Sequence, residues 1–199
     1  MERAIRQIFA ASITTQQRFV RAHAREVARV VAVSAEALAN GHTLFFFGNG
    51  GSAADAQHLA AEFVNRYKLA RRPLPAIALT TDTSALTSIA NDFGYAEVFA
   101  KQLQALGHPG DVAFAISTSG SSPSILRAVR RCRSLGIITV GLTGGTGGKL
   151  AAAVDHLLCV GGTRDTARIQ ETHIVVGHAL CELVEQVLSG RDSRRSAHG

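Results

Sequence analysis

The chain has no apolar run approaching the about 20 residues that a membrane-crossing helix needs, and no apolar segment behind its N-terminal Met1-Glu2-Arg3-Ala4-Ile5-Arg6. Those two lacks predict neither a membrane span nor an export signal, and therefore a cytoplasmic protein. Cysteine is scarce. Cys132, Cys159 and Cys181 are odd in number and none stands in CxxC spacing, which excludes a disulfide framework or a zinc knuckle and leaves reduced thiols. The net charge is +6, yet no aromatic or recognition motif accompanies the arginines between Arg127 and Arg133. Their helical spacing around Ile125, Leu126 and Val129 reads as the solvated face of an amphipathic helix, and no nucleic-acid partner is expected.

What is present fits one domain, since 199 residues suffice for a substantial core. Residues 3–39 contain no Gly or Pro, and their apolar positions from Ile5 to Leu38 recur at helical spacing, predicting one or two helices that stop at Asn40-Gly41. Strands are predicted at 43–47, 76–80, 111–117, 137–143 and 156–160, alternating with helices at 52–69, 84–90, 96–106, 122–135 and 166–188. Apolar strands alternating with helices indicate an α/β fold with a parallel five-stranded sheet covered on both faces. The expected organisation is a helical segment over 1–40 that belongs to the same domain and offers an oligomer surface. The sheet domain follows over 41–190, then a frayed tail over 191–199.

Two polar loops, Gly48–Ser52 and Ser117–Ser122, fall at the carboxyl ends of predicted strands, where open sheets of this kind bind ligands. The first follows the dinucleotide pattern loosely, as Gly48-x-Gly50-x-x-Ala53. It lacks the acidic ribose partner about 20 residues on, where Lys68 and Arg71 stand, and Asp82 comes late. A P-loop ending at Gly148-Lys149 fails at both ends, on Thr143 and Leu150. No nucleotide cofactor is expected. The second loop places Ser117, Thr118, Ser119, Ser121 and Ser122 around Gly120, with Pro123 suited to the first turn of the next helix. Capping needs one hydroxyl, Ser122. Five of them beside unpaired backbone N–H groups make a phosphate cradle that needs no counter-cation.

His58 and Glu62 are four residues apart and so share a helix face beneath the Gly50-Gly51 turn. Alone they read as a surface pair. Gln170 and His178 come from the C-terminal helix, His178 inside the apolar stripe Val175 to Val187, where an isolated histidine reads as a hydrogen-bonded core residue.

The segments GNGGSAADAQH, the Glu62 after them, TTDTSALTSIANDFGY, STSGSSPSIL and RIQETHIVVGH together resemble the bacterial phosphoheptose isomerases of the sugar isomerase (SIS) superfamily, from about residue 5 to residue 188. The resemblance implies a flavodoxin-like sheet, a homotetramer, and conversion of sedoheptulose 7-phosphate to D-glycero-D-manno-heptose 7-phosphate on the route to activated heptose. It puts the phosphate on Ser117, Thr118, Ser119 and Ser122, and the sugar along Asn49, Gly50, Gly51 and Ser52 with Asn91 and Asp92. It implies zinc on His58, Glu62, Gln170 and His178, with Gln170 and Glu62 also facing substrate, and Glu62 and His178 as the acid–base pair. Ala167 departs from the pattern, standing where some members carry an acidic residue, with Asp165 two positions earlier. A related branch that binds the replication initiator has lost the acid–base residues; this chain keeps both.

Moving a carbonyl from C2 to C1 requires a base for a carbon-bound proton and stabilisation of an enediolate, work suited to Glu62 and His178 respectively. A divalent metal would polarise the oxygens. In a regular helix Gln170 and His178 lie about 12 Å apart along the axis. Either Gln170 precedes the regular helix or a neighbouring subunit supplies one of the pair. Competing readings are a non-catalytic sugar-phosphate regulator using the same cradle and, more distantly, a nicotinamide-dependent oxidoreductase.

Overall fold

Four large apolar residues in succession, Leu44-Phe45-Phe46-Phe47, cannot alternate between core and solvent, and all four are buried. They form β1 (Leu44–Gly48), a central strand with a separate core on each face. Leu44 and Phe46 enter one core, Phe45 and Phe47 the other. Phe46 stacks between Phe63 and Phe114, with centroids 5.9 and 4.7 Å away. Each such buried side chain contributes about 1.5–3 kcal/mol through removal of apolar area from water.

The structure, a computed structural model, describes residues 1–196, with side chains as far as residue 190. One unbroken helix, α1 (Glu2–Ala39), precedes β1. After β1 come α2 (Gly51–Val64), β2 (Ala76–Ala78), α3 (Thr83–Phe93), a 3-10 turn over Tyr95–Glu97 and α4 (Val98–Leu106). The chain continues through β3 (Val112–Ser117), α5 (Pro123–Leu135), β4 (Ile138–Gly144), a 3-10 turn over Gly148–Ala152, β5 (His156–Val160) and α6 (Thr166–Ser196). All neighbouring strands pair in parallel, in the order β2-β1-β3-β4-β5. This is the flavodoxin-like order, and the chain reverses its direction of travel between β1 and β3. The carboxyl ends of those two strands therefore open onto a crevice.

Two helices end well away from the sequence-based expectation, while β2 stops at Ala78 instead of residue 80 and α3 runs on to Phe93. The helix predicted over 52–69 ends at Val64, because Arg71 donates to the carbonyls of Glu62 and Phe63 at 2.9 Å each and turns the chain away. Glu185 then takes the backbone N–H groups of Tyr67, Lys68 and Leu69 at 2.7–2.9 Å and the Arg71 Nε at 2.8 Å. The last helix continues to Ser196 instead of closing near Leu188, so residues 191–196 of the expected tail are helical; residues 197–199 lie outside those described. Residues 3–39 form a single helix, the first of the two arrangements expected.

The second half of α1 is buried at Val30, Val31 and Leu38 and packs along α6 and β5. Its first half leaves Ile5, Ile8, Phe9, Ile13 and Val20 exposed. The arginine-bearing face of α5 lies at the surface, where Arg127 pairs with Glu97 at 2.8 Å. Among the described residues no helix is long and apolar enough to cross a membrane.

Candidate functional site

The two polar loops meet in the crevice. Asn49, just after β1, donates from Nδ2 to Ser122 Oγ at 2.9 Å and to Ser124 Oγ at 3.1 Å. Its Oδ1 accepts from the Tyr95 hydroxyl at 2.8 Å. Ser117 is buried at the end of β3, Thr118 is half-buried, and Ser119 opens to solvent. Ser122 occupies the N-cap position of α5, with Pro123 in the first turn, but its side chain makes no capping bond. The N–H groups of that turn are thus not satisfied by a cap, and hydroxyls surround them. That is the arrangement an anion needs.

A glycine holds this loop in place. Gly120 has φ +60, and a Cβ there would overlap the Gly147 carbonyl, while Gly120 O accepts from Leu150 N at 2.9 Å. The glycine-rich stretch after β4 is therefore a buttress for the serine loop, a role that its failure as a P-loop concealed in the sequence.

Ser52 is buried at the start of α2, and a Cβ on Gly51 would stand 2.5 Å from Gln170 Nε2. Gln170 accordingly lies against the glycine turn. Its position inside α6, which begins at Thr166, removes the possibility that it precedes the regular helix. Asn91 Nδ2 donates to Asp92 Oδ1 at 2.9 Å on α3, so the two side chains bond each other rather than either loop. Asp165 Oδ1 accepts from Ala167 N at 2.9 Å and so caps α6. Asp82 likewise caps α3 through Ala85 N at 2.9 Å.

The acid–base residues converge two to three turns away. His58 Nε2 and His178 Nε2 are 2.9 Å apart, and Glu62 Oε1 is 3.4 Å from His58 Nε2. Glu62 and His178 thus meet through His58. His178 is half-buried and stacks on Tyr67, with centroids 5.5 Å apart. The Tyr67 backbone N–H donates to Glu185, so a buried ion pair two turns farther along the same face of α6 anchors the residue whose ring supports the imidazole. Sequence reasoning singled out none of Tyr67, Glu185, Tyr95 and Ser124 as site residues.

Among the described residues no three His, Cys, Asp or Glu side chains are placed to hold a metal ion as they stand. The His58–His178 approach of 2.9 Å is a few tenths of an ångström below the about 3.3 Å edge of a tetrahedron with bonds of about 2.0–2.1 Å. A small opening of two side chains that both expose part of their surface would admit an ion. The donors, two imidazoles and a carboxylate, suit zinc. Gln170 does not join them: it lies by Gly51, at the opposite end of α2.

The fully buried histidine of α6 is His173, not His178. Its Nε2–H donates to Thr143 O at 3.0 Å, its Nδ1 has no partner, and burial pushes its pKa down to about 4. Burial raises the Glu185 carboxyl, but the three N–H donors and Arg71 outweigh it and hold the group below its ordinary 4.5. Both folded-state pKa values are depressed, so both groups contribute stability that is lost on acidification. For His173 the window runs from about pH 6.5, where the unfolded chain takes the proton, down to about 4; for Glu185 it lies below about 4.5. Urea midpoints between pH 7 and pH 4 should fall by the equivalent of about 3 kcal/mol. A His173→Gln variant should show a flatter profile between pH 6.5 and 4.5; an unchanged slope would mean that His173 does not drive it.

The SIS domain family model matches residues 7–144. The chain is 48% identical over 187 residues to the phosphoheptose isomerase of Aquifex aeolicus, spanning 94% of this chain and 97% of that protein. It is 53% identical to the phosphoheptose isomerase of Nitratidesulfovibrio vulgaris, over 87% of this chain and 83% of that one. The solved phosphoheptose isomerase of Neisseria gonorrhoeae superposes with TM-score 0.87 at 41% identity, covering 93% of this chain and 98% of that chain. The enzyme of Francisella tularensis gives TM-score 0.88 at 36% identity, covering 92% and 97%.

Proposed function

The chain belongs to the SIS domain family, and from that membership and the crevice between β1 and β3 we propose that it interconverts sedoheptulose 7-phosphate and D-glycero-D-manno-heptose 7-phosphate in the cytoplasm. It is an isomerase of heptose biosynthesis. The observation that carries the mechanism is the meeting of Glu62 and His178 on His58, from two helices more than 100 residues apart in the chain.

In the forward direction the Glu62 carboxylate takes the proton from C1 of the ketose as electrons move toward the C2 oxygen, and returns it to C2. His178 moves the proton between the two oxygens, so the product is an isomer with no net redox change. Ser117, Thr118, Ser119 and Ser122 hold the phosphate, and Asn49, Gly50, Gly51 and Ser52 line the sugar, with Asn91 and Asp92 offering further polar contacts to it.

Distance sets the assembly. Glu62 is 11 residues along α2 from Gly51, about 16 Å of helix. A seven-carbon chain extended from carbonyl to phosphate spans roughly 9 Å, seven bonds of about 1.5 Å in a zigzag. A substrate lying on one subunit's Gly50-Gly51 turn therefore falls short of the Glu62 of the same subunit. We assign each site a cradle and Gln170 from one subunit and His58, Glu62 and His178 from a neighbour, in a homotetramer. The exposed apolar residues of α1 provide the oligomer surface, and residues 1–40 serve assembly while remaining packed on the sheet domain.

Zinc would be held by His58, Glu62 and His178, with Gln170 supplied across the interface. When bound it would supply Lewis acidity toward the developing oxyanion. Purified protein should retain one zinc per subunit by elemental analysis, and chelation should lower the thermal midpoint by several degrees. His58→Ala and His178→Ala should lose both the zinc and that response. Absence of metal, together with a midpoint insensitive to added zinc, would refute the site.

A further inference from the structure

Tyr95 has no role in the chemistry derived above, yet it touches the cradle. It follows α3, a helix with no buried residue, and is itself 56% exposed, so packing does not account for its placement. Its hydroxyl nonetheless reaches Asn49 Oδ1 at 2.8 Å. Asn49 Nδ2 bonds Ser122 Oγ and the buried Ser124 Oγ, and those two oxygens are 3.2 Å apart.

The direction of each bond follows from the groups. An amide oxygen only accepts and an amide nitrogen only donates. A phenol is more acidic than a serine hydroxyl and is the better donor, so Oδ1 turns toward Tyr95 and both amide protons go to the serines. Each serine oxygen then has a donor already; with the buried Ser124 giving its proton to Ser122 Oγ at 3.2 Å, the Ser122 proton remains to be given away. Ser122 stands at the N-cap of α5 with no capping bond, where that proton can meet an anion. With the amide reversed, Oδ1 would draw the serine protons toward itself and away from the ligand.

We propose that Tyr95 is a positioning residue for phosphate recognition: through Asn49 it fixes the donor direction of Ser122. The inference rests on the reading of the Ser117–Ser122 loop as the phosphate cradle. It adds a residue from a separate, solvent-exposed segment to the determinants of specificity for a phosphorylated sugar. Loss of the phenol hydroxyl frees the amide to reverse and leaves a dianion facing oxygens that no longer donate.

The test uses the full-length protein with Tyr95→Phe, Ser122→Ala and the double variant. Three quantities are measured: competitive inhibition by inorganic phosphate, KM for the heptose phosphate, and kcat. Tyr95→Phe should raise both the phosphate inhibition constant and KM about three- to tenfold, with the larger part of the effect in KM rather than kcat. Ser122→Ala should act similarly, and the double variant should be no worse than the weaker-binding single, because both interrupt one relay. Multiplicative effects would overturn the relay. So would an unchanged phosphate constant in Tyr95→Phe beside a raised one in Ser122→Ala, which would leave the cradle intact. If Ser122→Ala itself does not weaken phosphate, the cradle reading falls and the relay with it. A fall in kcat at constant phosphate affinity would give Tyr95 a merely structural part and overturn the proposal.

Discussion

Replacing Glu62 by Gln should lower kcat about a thousandfold while leaving substrate affinity within about threefold, the signature of a lost proton-transfer group. Glutamine preserves the shape of the side chain and an oxygen donor, so the backbone contact from Arg71 to Glu62 O at 2.9 Å and the helix around it should persist. The measurement pairs product formation with incorporation of solvent deuterium at the reacting carbons. Both should vanish together, since the same carboxylate breaks the carbon–hydrogen bond and restores it. Glu62 is also assigned to the metal, so zinc content must be determined on the same sample: full zinc with no exchange identifies the lost base. Activity within tenfold of the parent would remove Glu62 from the role, and loss of affinity in step with kcat would assign it to binding.

The second large effect is a gain. Glu62→Gln and Ser122→Asp should each be inactive, the latter because a carboxylate in the cradle repels the phosphate. Co-expressed in equal amounts and recovered as mixed oligomers, the two should regain about a quarter of parental activity, the chance that an intact cradle from one subunit faces an intact Glu62 from its neighbour. If each chain built its own complete site, every mixed oligomer would be inactive. The distinction is between substantial activity and none, so it does not depend on accurate kinetics. Inactive mixed oligomers would place cradle and base in one subunit and would contradict the 16 Å argument.

Much of this was legible in the chain, and the exceptions have particular causes. The Ser117–Ser122 hydroxyls exceed what one helix cap can use, and the cap bond that Ser122 might have made is absent in the fold. The His58–Glu62 spacing was visible as well, but its partner was named only by the family resemblance and not by any local pattern. His178 lies in an apolar stretch that reads as core, and only the packing of α6 on α2 brings it to 2.9 Å from His58. The end of α2 escaped the sequence because its cause is remote: Arg71 and Glu185 are separated by 114 positions and compete successfully for backbone groups that helical propensity would have paired. Tyr95 gave no periodic signal, being a single exposed residue after a short helix.

The amino-acid sequence by itself determined the class of fold, the alternation of strands and helices, the two ligand loops and the chemical types gathered in the motifs. Those are local matters of periodicity, turn chemistry and hydroxyl or glycine content. Tertiary structure alone decided which residues meet. It joined His178 to His58 and Glu62, set Gln170 against Gly51 at the other end of the same helix, and tied Tyr95 to the serine loop through Asn49. The physical reason is that contacts across a parallel sheet depend on strand order and helix register, which are settled by burial on both faces of β1 and β3 and leave no trace in short-range spacing.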